Sequence, residues 1–518
     1  MCMEPMNGRF FISPLDHSGH IQNAEINART NEEDRDLIPD PNCHVDEAPR
    51  RVEIVISEED YNVLKEHLWS SAPLEQQAFL LAGVCSGDLG LRLLVRDLIF
   101  PKPSDFLSQT PCYIELDPSY YLPVLDRCRD EGLHIIDVHS HPFAAGGVRF
   151  SELDVRNELE KFTWYSERLP AIHAATLVFG RESFDGHWWD SKARKICPIS
   201  AIRVVGSTLK IIPASSAAEE GPVFEPCEDI FHRQELAFGR AGQEIISKTR
   251  VAIIGCGGLG SVLAQQLAYL GVRKFVLVDD DRVESTNLNR LVGAFPGDAR
   301  LRRRKVSVLK RNIRAVCPDA QVIAVPYSIV DPRAQRIVRE SDLLISGVDS
   351  DGARLVVNEL SVRYLIPYID LGTGINLNEG RVAEAGGQLW LVRPGGFCLQ
   401  CIGALDPYKA RVDLMDEVER GRHIERGYGT GVPQPSVIFL NATLASLAVG
   451  EIVKLLTGFR KPETVIFYDA LKPSVEVFLP PSRDPNCPVC RREALYALGD
   501  EPEGKAFHRK VPAAGSIT

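Results

Sequence analysis

The chain has 518 residues, a formal net charge of −11 at pH 7, 44% hydrophobic and 25% charged residues. That length allows two or three domains with ordinary cores, and the acidic balance argues against nucleic acid as the main ligand. Thirteen cysteines, with no signal peptide and no long apolar run, lead us to expect a soluble protein of a reducing cytoplasmic compartment, not attached to a membrane.

Residues 1–49 are polar, rich in Asn, Asp and Glu and without periodicity, which predicts a disordered or loosely attached arm. Order begins near Arg51. Val52–Ile56 alternates as a strand, and Ser57-Glu58-Glu59-Asp60 caps a helix through about Trp69. The apolar run of Leu74–Gly83 is expected to turn from helix into strand. Leu91–Phe100 reads as another strand, followed by a loop over Pro101–Pro111.

The informative island of this half is Ile135-Ile136-Asp137-Val138-His139-Ser140-His141-Pro142, followed by Ser151-Glu152-Leu153-Asp154. Alternation along a strand places His139 and His141 on one face, where two imidazoles can bind one ion. Asp154, on the helix that starts at Ser151, can supply a third ligand. Two His and one carboxylate leave one zinc position open, which is the arrangement of a catalytic site.

This set resembles the JAMM (JAB/MPN) metallopeptidases, whose best-known members remove ubiquitin or process ubiquitin-like precursors, over roughly Arg51–Ile212. The resemblance implies an α/β metallopeptidase domain over 50–213, with His139, His141 and Asp154 as zinc ligands. It assigns Ser151 to the developing oxyanion and Glu75, in the segment E-x-x-A-x-L-L-A-G, to the general base. A base must take a proton from water and pass it to the leaving amine, and a carboxylate with a raised pKa suits that task. The loop between His141 and Ser151, containing Ala144-Ala145-Gly146-Gly147, is longer than is usual in that family. His134 and His173 read as ordinary core or surface residues, and Trp188-Trp189 as packing a hairpin.

The stretch ASSAAEEGPVFEP that follows reads as a linker over 214–227. Val251–Ile254 is then a buried parallel strand, which Gly255-Cys256-Gly257-Gly258-Leu259-Gly260 turns into a helix over Ser261–Leu270. Glycines let the backbone approach phosphates, and the helix N-terminus offers free N–H groups and a positive dipole end. Phe275–Val278 delivers Asp279 to the carboxyl edge of the sheet, where a ribose would lie. Taken alone, this fits an NAD(P)-dependent oxidoreductase as well as an ATP site. Asp279-Asp280-Asp281, Val283-Glu284, Asn287-Leu288-Asn289-Arg290 and the basic run Arg302–Lys305 place cations after an acidic strand end, as a triphosphate losing pyrophosphate requires. The strand Leu343–Val348 brings Asp349 to the same edge as a hard oxygen ligand for Mg2+.

These residues resemble the ThiF/MoeB and ubiquitin-activating superfamily, which adenylates the C-terminal glycine of ubiquitin-like proteins, from about Asp229 to Cys490. The resemblance implies a Rossmann-like adenylation domain over 228–495, with ATP on Gly255, Gly257, Gly258, Gly260, Asp279, Asp281 and Asn287. Asp279 would hold the ribose, Arg290 and Lys305 the phosphates, and Asp349 the Mg2+, with Arg354 completing a DxxxxR pattern. Lys305 lies slightly farther from Arg290 than the family places it, so Arg303 and Arg304 are alternatives for its role. Phe231-His232-Arg233-Gln234 and Gly242-Gln243 resemble the family's entry helix, whose Arg reaches the partner subunit's ATP site. That implies a homodimer with Arg233 acting in trans.

Cys398-Leu399-Gln400-Cys401 and Cys487-Pro488-Val489-Cys490 form two CxxC hooks, the ligand set of a closed structural Zn2+. Residues 402–486 contain no cysteine. Family members that form a thioester place their nucleophile before the segment here represented by Gly431-Val432-Pro433-Gln434-Pro435, where this chain has Glu425–Thr430 with Tyr428, a phenol that stays protonated. Cys256 and Cys317 read as structural. Residues 496–518 are expected to form a disordered tail, without room for the ubiquitin-fold domain of the large activating enzymes.

The expected whole is a bifunctional enzyme, as in bacterial ubiquitin-like systems. A zinc JAMM site would cleave peptide or isopeptide bonds at the C-terminal glycine of a ubiquitin-like protein. An ATP site would then activate that glycine for conjugation, passing it to a conjugating enzyme. The alternative is that the adenylated tail serves sulfur transfer through a sulfur carrier in cofactor or amino-acid biosynthesis. An NAD(P)-dependent oxidoreductase and a non-catalytic scaffold are the remaining readings.

Overall fold

Residues 51–144, 146–217, 229–415 and 435–501 are described by a computed structural model. The expected arm over 1–49, Ala145, most of the linker, the Glu425–Gln434 crossover with Tyr428, and the tail after 501 lie outside these described residues.

The first half is built on β1 (Val52–Ser57), β2 (Gln77–Gly87), β3 (Gly90–Ile99), a β4–β5 hairpin (Phe106–Gln109, Ile114–Leu116), β6 (His134–Ser140), β7 (Ala174–Phe179), β8 (Phe184–Asp190), β9 (Lys195–Pro198), β10 (Ala201–Val205) and β11 (Leu209–Pro213). Nine of these strands form one sheet in the order β11-β10-β1-β3-β2-β6-β7-β8-β9. Side chains alternate across a strand, and β2 and β6 use both faces. Ala78, Leu80, Ala82, Ile136 and Val138 pack on one side with Leu64 and Leu68 of the helix Glu58–Trp69. Phe79, Leu81 and Ile135 pack on the other with Leu125 and Cys128 of Tyr121–Glu131 and Phe162 and Tyr165 of Glu152–Arg168. His139 shares the parity of Ile135, so it faces the side on which the helix Glu152–Arg168 lies.

The local expectations differ in two places. Leu74–Gly83 has no helical part: Ser70–Leu74 is a turn containing Pro73, and β2 starts at Gln77. Proline disfavours helix at the residue before it, and the Glu75 N–H donates instead to the Thr110 carbonyl at 3.0 Å. The expected loop over Pro101–Pro111 contains β4.

The second half adds β12 (Arg250–Ile254), β13 (Lys274–Val278), β14 (Gln321–Val325), β15 (Leu343–Ser346), β16 (Tyr368–Asn378), β17 (Arg381–Val392), β18 (Val465–Asp469) and β19 (Ser474–Val477), ordered β14-β13-β12-β15-β16-β17-β18-β19. The pairs from β14 to β16 are parallel. Strand order reverses between β12 and β15, which opens a crevice at their carboxyl ends. Ile254 pairs with Val278 on one side and Ser346 on the other, so all three strands end level at that crevice. The helix after β12 begins at Gly258, three residues before the expected Ser261, and β15 ends at Ser346 rather than Val348.

One expectation about apolar runs is corrected. The helix Ile438–Thr457 is long and apolar enough to cross a membrane by length and composition, with a mean hydropathy of 1.6. Leu440, Leu444, Ala448, Ile452 and Leu455 are buried in the fold, where the helix packs on the helix Gly258–Tyr269 and on β16 and β17.

Parts of the expected loose tail over 496–518 and linker over 214–227 are ordered. Tyr496 and Ala497 are buried, Gly499 bridges to Val84 of β2, and the Ser86 N–H donates to Asp500 at 2.9 Å. Ala214 is buried, and the Ser216 hydroxyl donates to Asp185 at 2.6 Å. The first segment is held by backbone pairing between the halves, and the second by bonds within the first half, the Ala214 N–H to Ser200 and the Ser215 N–H to Phe184. A Cβ on Gly83 would stand 2.2 Å from the Ala497 carbonyl oxygen. Gly83→Val is expected to expel this segment and lower stability by about 1–3 kcal/mol, read as a lower urea midpoint and new proteolysis after Cys490; an unchanged midpoint would refute this seam.

Candidate functional site

At the crevice, Gly255 takes φ +89°, a conformation that favours glycine. A Cβ there would meet the Gly347 carbonyl oxygen at 3.0 Å and Val348 Cγ1 at 2.9 Å, so the loops after β12 and β15 touch. Gly257 caps the following helix, and a Cβ on it would have nothing within 4 Å. That open side fits the approach of a phosphate to the helix N-terminus.

Asp279, directly after β13, is anchored over this loop. Its carboxylate accepts the Cys256 N–H at 2.7 Å and the Asp281 N–H at 2.8 Å. Lys305, at the start of the helix Lys305–Val316, places Nζ 3.9 Å from Asp279 and 2.6 Å from Asp281. Burial raises the Asp279 pKa against the opposing pull of Lys305. Burial pulls the Lys305 ammonium down, but Asp279 and Asp281 carry it above its ordinary value. Of the basic run, Lys305 is the residue brought to these carboxylates. Arg303 pairs with Asp298 at 3.5 Å, and Arg304 reaches the Pro326 carbonyl.

The other expected nucleotide residues take varied positions. Arg290 lies over the glycine loop, its Cδ 3.6 Å from where a Cβ on Gly258 would stand, and it donates to the Thr286 carbonyl at 2.6 Å. The Asn287 side chain accepts the Glu284 N–H at 3.0 Å and so closes its own turn. Asp349 is exposed at the strand edge. Arg354, which completes the DxxxxR pattern, turns its guanidinium to Asp370 at 2.5 Å and Asp351 at 2.9 Å. Arg233 is exposed on the helix His232–Lys248. Cys256 is fully buried, which raises its thiol pKa well above the ordinary value.

Asn441 has no sequence signal at all. It sits in the first turn of Ile438–Thr457, far along the chain, yet its Nδ2 is 2.2 Å from a Cβ placed on Gly258, and its Oδ1 accepts the Thr373 hydroxyl at 2.9 Å. Only the packing of that helix on the glycine-loop helix brings it there.

In the first half, the strand and helix positions converge as a cluster. One ligand atom each from His139, His141 and Asp154 lie within 4.8 Å of one another. Ser151 caps the helix: its N–H and hydroxyl each donate to Asp154 Oδ2 at 2.7 Å. The same carboxylate faces His139 Nε2 at 3.6 Å and His141 Nε2 at 3.4 Å. Against burial, the two imidazoles and Ser151 hold the Asp154 carboxyl well below the usual range. His139 Nε2 is buried without a hydrogen-bond partner, and such an orphaned acceptor or donor fits a metal ligand. Glu75 is only 6% exposed, with Oε1 3.7 Å from His141. Burial pushes its carboxyl up to about 7. The expected oxyanion role of Ser151 meets a competing fact, because its hydroxyl is engaged by Asp154.

The four sulfurs of Cys398, Cys401, Cys487 and Cys490 also converge within 4.8 Å. They tie the turn after β17 to the segment that continues into Tyr496 and the seam.

The ThiF family profile matches residues 231–489, half of the chain. The chain belongs to the ThiF family. Membership covers the glycine loop, Asp279, Lys305 and three of the four clustered cysteines, and it does not extend to the first half. Among similar proteins, the sulfur carrier protein adenylyltransferase of Thermus thermophilus is 29% identical over 284 residues, covering 53% of this chain and 92% of that protein. The SAMP-activating enzyme E1 of Haloferax volcanii is 28% identical, covering 51% and 87%. The molybdopterin-synthase adenylyltransferase of Escherichia coli is 27% identical, covering 50% and 95%.

Both clusters can be tested for metal on this ThiF-family chain by elemental analysis. Cys398→Ser/Cys487→Ser should remove zinc from one cluster and lower the melting temperature, because a structural metal contributes folding energy. His139→Ala/His141→Ala should remove metal from the other and leave the first loaded. Unchanged metal content in either variant rules out that cluster.

Proposed function

We propose that this chain adenylates the C-terminal glycine carboxylate of a ubiquitin-like protein. A carboxylate oxygen attacks the α-phosphorus of ATP, an acyl-adenylate forms, and pyrophosphate leaves. The observation that carries this reading is Lys305 drawn to Asp279 and Asp281 at the edge of the glycine loop, inside the span that the ThiF family covers. The open side of Gly257 and the helix behind it would receive phosphates. Asp279 would hold the ribose, and Arg290 and Lys305 would bind the departing pyrophosphate charge. Asp349 would hold Mg2+, which supplies positive charge to the phosphate oxygens.

For the acceptor, the relatives weigh toward sulfur chemistry rather than conjugation. One is named for a sulfur carrier protein and another for molybdopterin synthase, and residues 402–486 supply no cysteine for a thioester. An NAD(P)-dependent oxidoreductase draws no support from these relatives. ATP–pyrophosphate exchange that depends on a glycine-tailed ubiquitin-like protein is the expected activity, and Lys305→Ala or Arg290→Ala should reduce it by about 10²–10³-fold. Exchange without the tail protein, or untouched by Lys305→Ala, would sink the proposal; thermal protection by NAD in place of ATP would favour the oxidoreductase.

Arg233 is proposed to act across a homodimer. Mixing Arg233→Ala with Lys305→Ala subunits should then restore exchange in one of the two composite sites. No recovery on subunit exchange would argue against it.

A second reading applies to the first half, carried by the convergence of His139, His141 and Asp154 beside Glu75. We propose hydrolysis of the bond after that same terminal glycine. Zinc held by the three ligands would supply Lewis-acid polarisation. Glu75, with a carboxyl near neutrality, can accept a proton and return it to a leaving amine. Ser151 would contribute to the oxyanion only by turning its hydroxyl from Asp154. Glu75→Gln should abolish cleavage of a tailed ubiquitin-like precursor and leave pyrophosphate exchange intact; cleavage surviving in that variant would exclude Glu75 as the base.

A further inference from the structure

The two halves meet around a charged cavity of about 100 Å³. It lies at the amino ends of β12 and β13, the opposite sheet edge from the glycine loop, against β1, β3 and β10 of the first sheet. Six cationic side chains line it against three carboxylates.

Those carboxylates are already shared out. Glu53 accepts from Arg203 at 2.6 Å and Arg51 at 2.7 Å. Asp342 accepts from Arg92 at 2.8 Å and Arg203 at 3.1 Å. Glu340 accepts the backbone N–H groups of Asp88 at 3.3 Å and Leu89 at 3.1 Å. Lys248 is taken by Glu244 outside the cavity.

Two cations remain. Arg250 and Lys274 are the first residues of β12 and β13, paired in register. Asp342 takes the Arg250 backbone N–H at 2.9 Å, but among the described residues neither the Arg250 guanidinium nor the Lys274 ammonium has an ion-pair partner. Both are half-buried. Burial lowers both pKa values; Asp342 opposes it at Lys274, and Glu340 and Asp342 oppose it at Arg250, while Arg51, Arg250 and Arg203 add to the lowering at Lys274 and Arg92 at Arg250. Unpaired cations held together in a partly enclosed space create a local field that favours a bound anion.

We propose that this junction is an anion site, in which Arg250 and Lys274 bind a compact, multiply charged oxyanion of the phosphate class and so couple the two halves. Arg92 and Arg203 border the anion from the first half, and Arg250 and Lys274 from the second. Inorganic phosphate and pyrophosphate share the required chemistry. The site is separate from the glycine loop and does not rest on the adenylation reading.

The test uses the full chain, titrated with orthophosphate and separately with pyrophosphate by calorimetry, and melted at constant ionic strength against chloride. Lys305→Ala, which impairs the glycine-loop site, should bind orthophosphate as the wild type does. Arg250→Gln/Lys274→Gln should bind it about tenfold more weakly or not at all, and should lose the phosphate-dependent rise in melting temperature. If pyrophosphate but not orthophosphate shows this pattern, the larger anion is the ligand. Equal stabilisation by chloride, unchanged binding in the double variant, or loss confined to Lys305→Ala would each overturn the site.

Discussion

The level ending of β12, β13 and β15 is the constraint on which the second half depends. Parallel pairing puts Ile254 beside both Val278 and Ser346. The glycine loop, Asp279 and the Gly347 turn therefore arrive at one sheet edge without any side chain having to reach far. The reversal of strand order at β12 then leaves a crevice there. A one-residue slip in β13 would send Asp279 to the other side of the strand end and break its hydrogen bond from Cys256.

A similar economy operates in the first half. The Ser151–Asp154 capping box satisfies two backbone N–H groups, those of Ser151 and Asp154, with local partners, and the same carboxylate is thereby aimed at His139 and His141. A residue that starts a helix is thus also a metal-ligand candidate, held by the helix itself. Next to Glu75, the chain is pinned to β6 by the Gln76 N–H donating to Ser140 and the Gln77 amide donating to Asp137.

The two halves are joined through charge and backbone as well as apolar packing. Removing one partner from a buried pair such as Arg203–Asp342 leaves an uncompensated charge, which is more damaging than never having the pair. The cysteine cluster lies directly before the Tyr496–Asp500 segment that pairs with β2. Metal at the four thiolates would therefore steady the seam as well as the domain that contains it.

Sequence alone determined the features that rest on neighbours a few residues apart. The Ser57 and Ser151 caps, the alternation of β6, the glycine loop and the CxxC hooks are of this kind, because period, φ preference and short-range hydrogen bonding act within one element. Tertiary structure decided the rest. It brought Asn441 onto Gly258, chose Lys305 over Arg303 and Arg304, set Arg354 on Asp370, engaged Ser151 with its own cap, and buried the segment after the last cysteines. It also gathered Arg250 and Lys274 with Arg92 and Arg203. Each of these depends on the packing of elements distant in sequence, where a side chain's partner is set by burial and by competition among nearby charges, quantities that no local pattern contains.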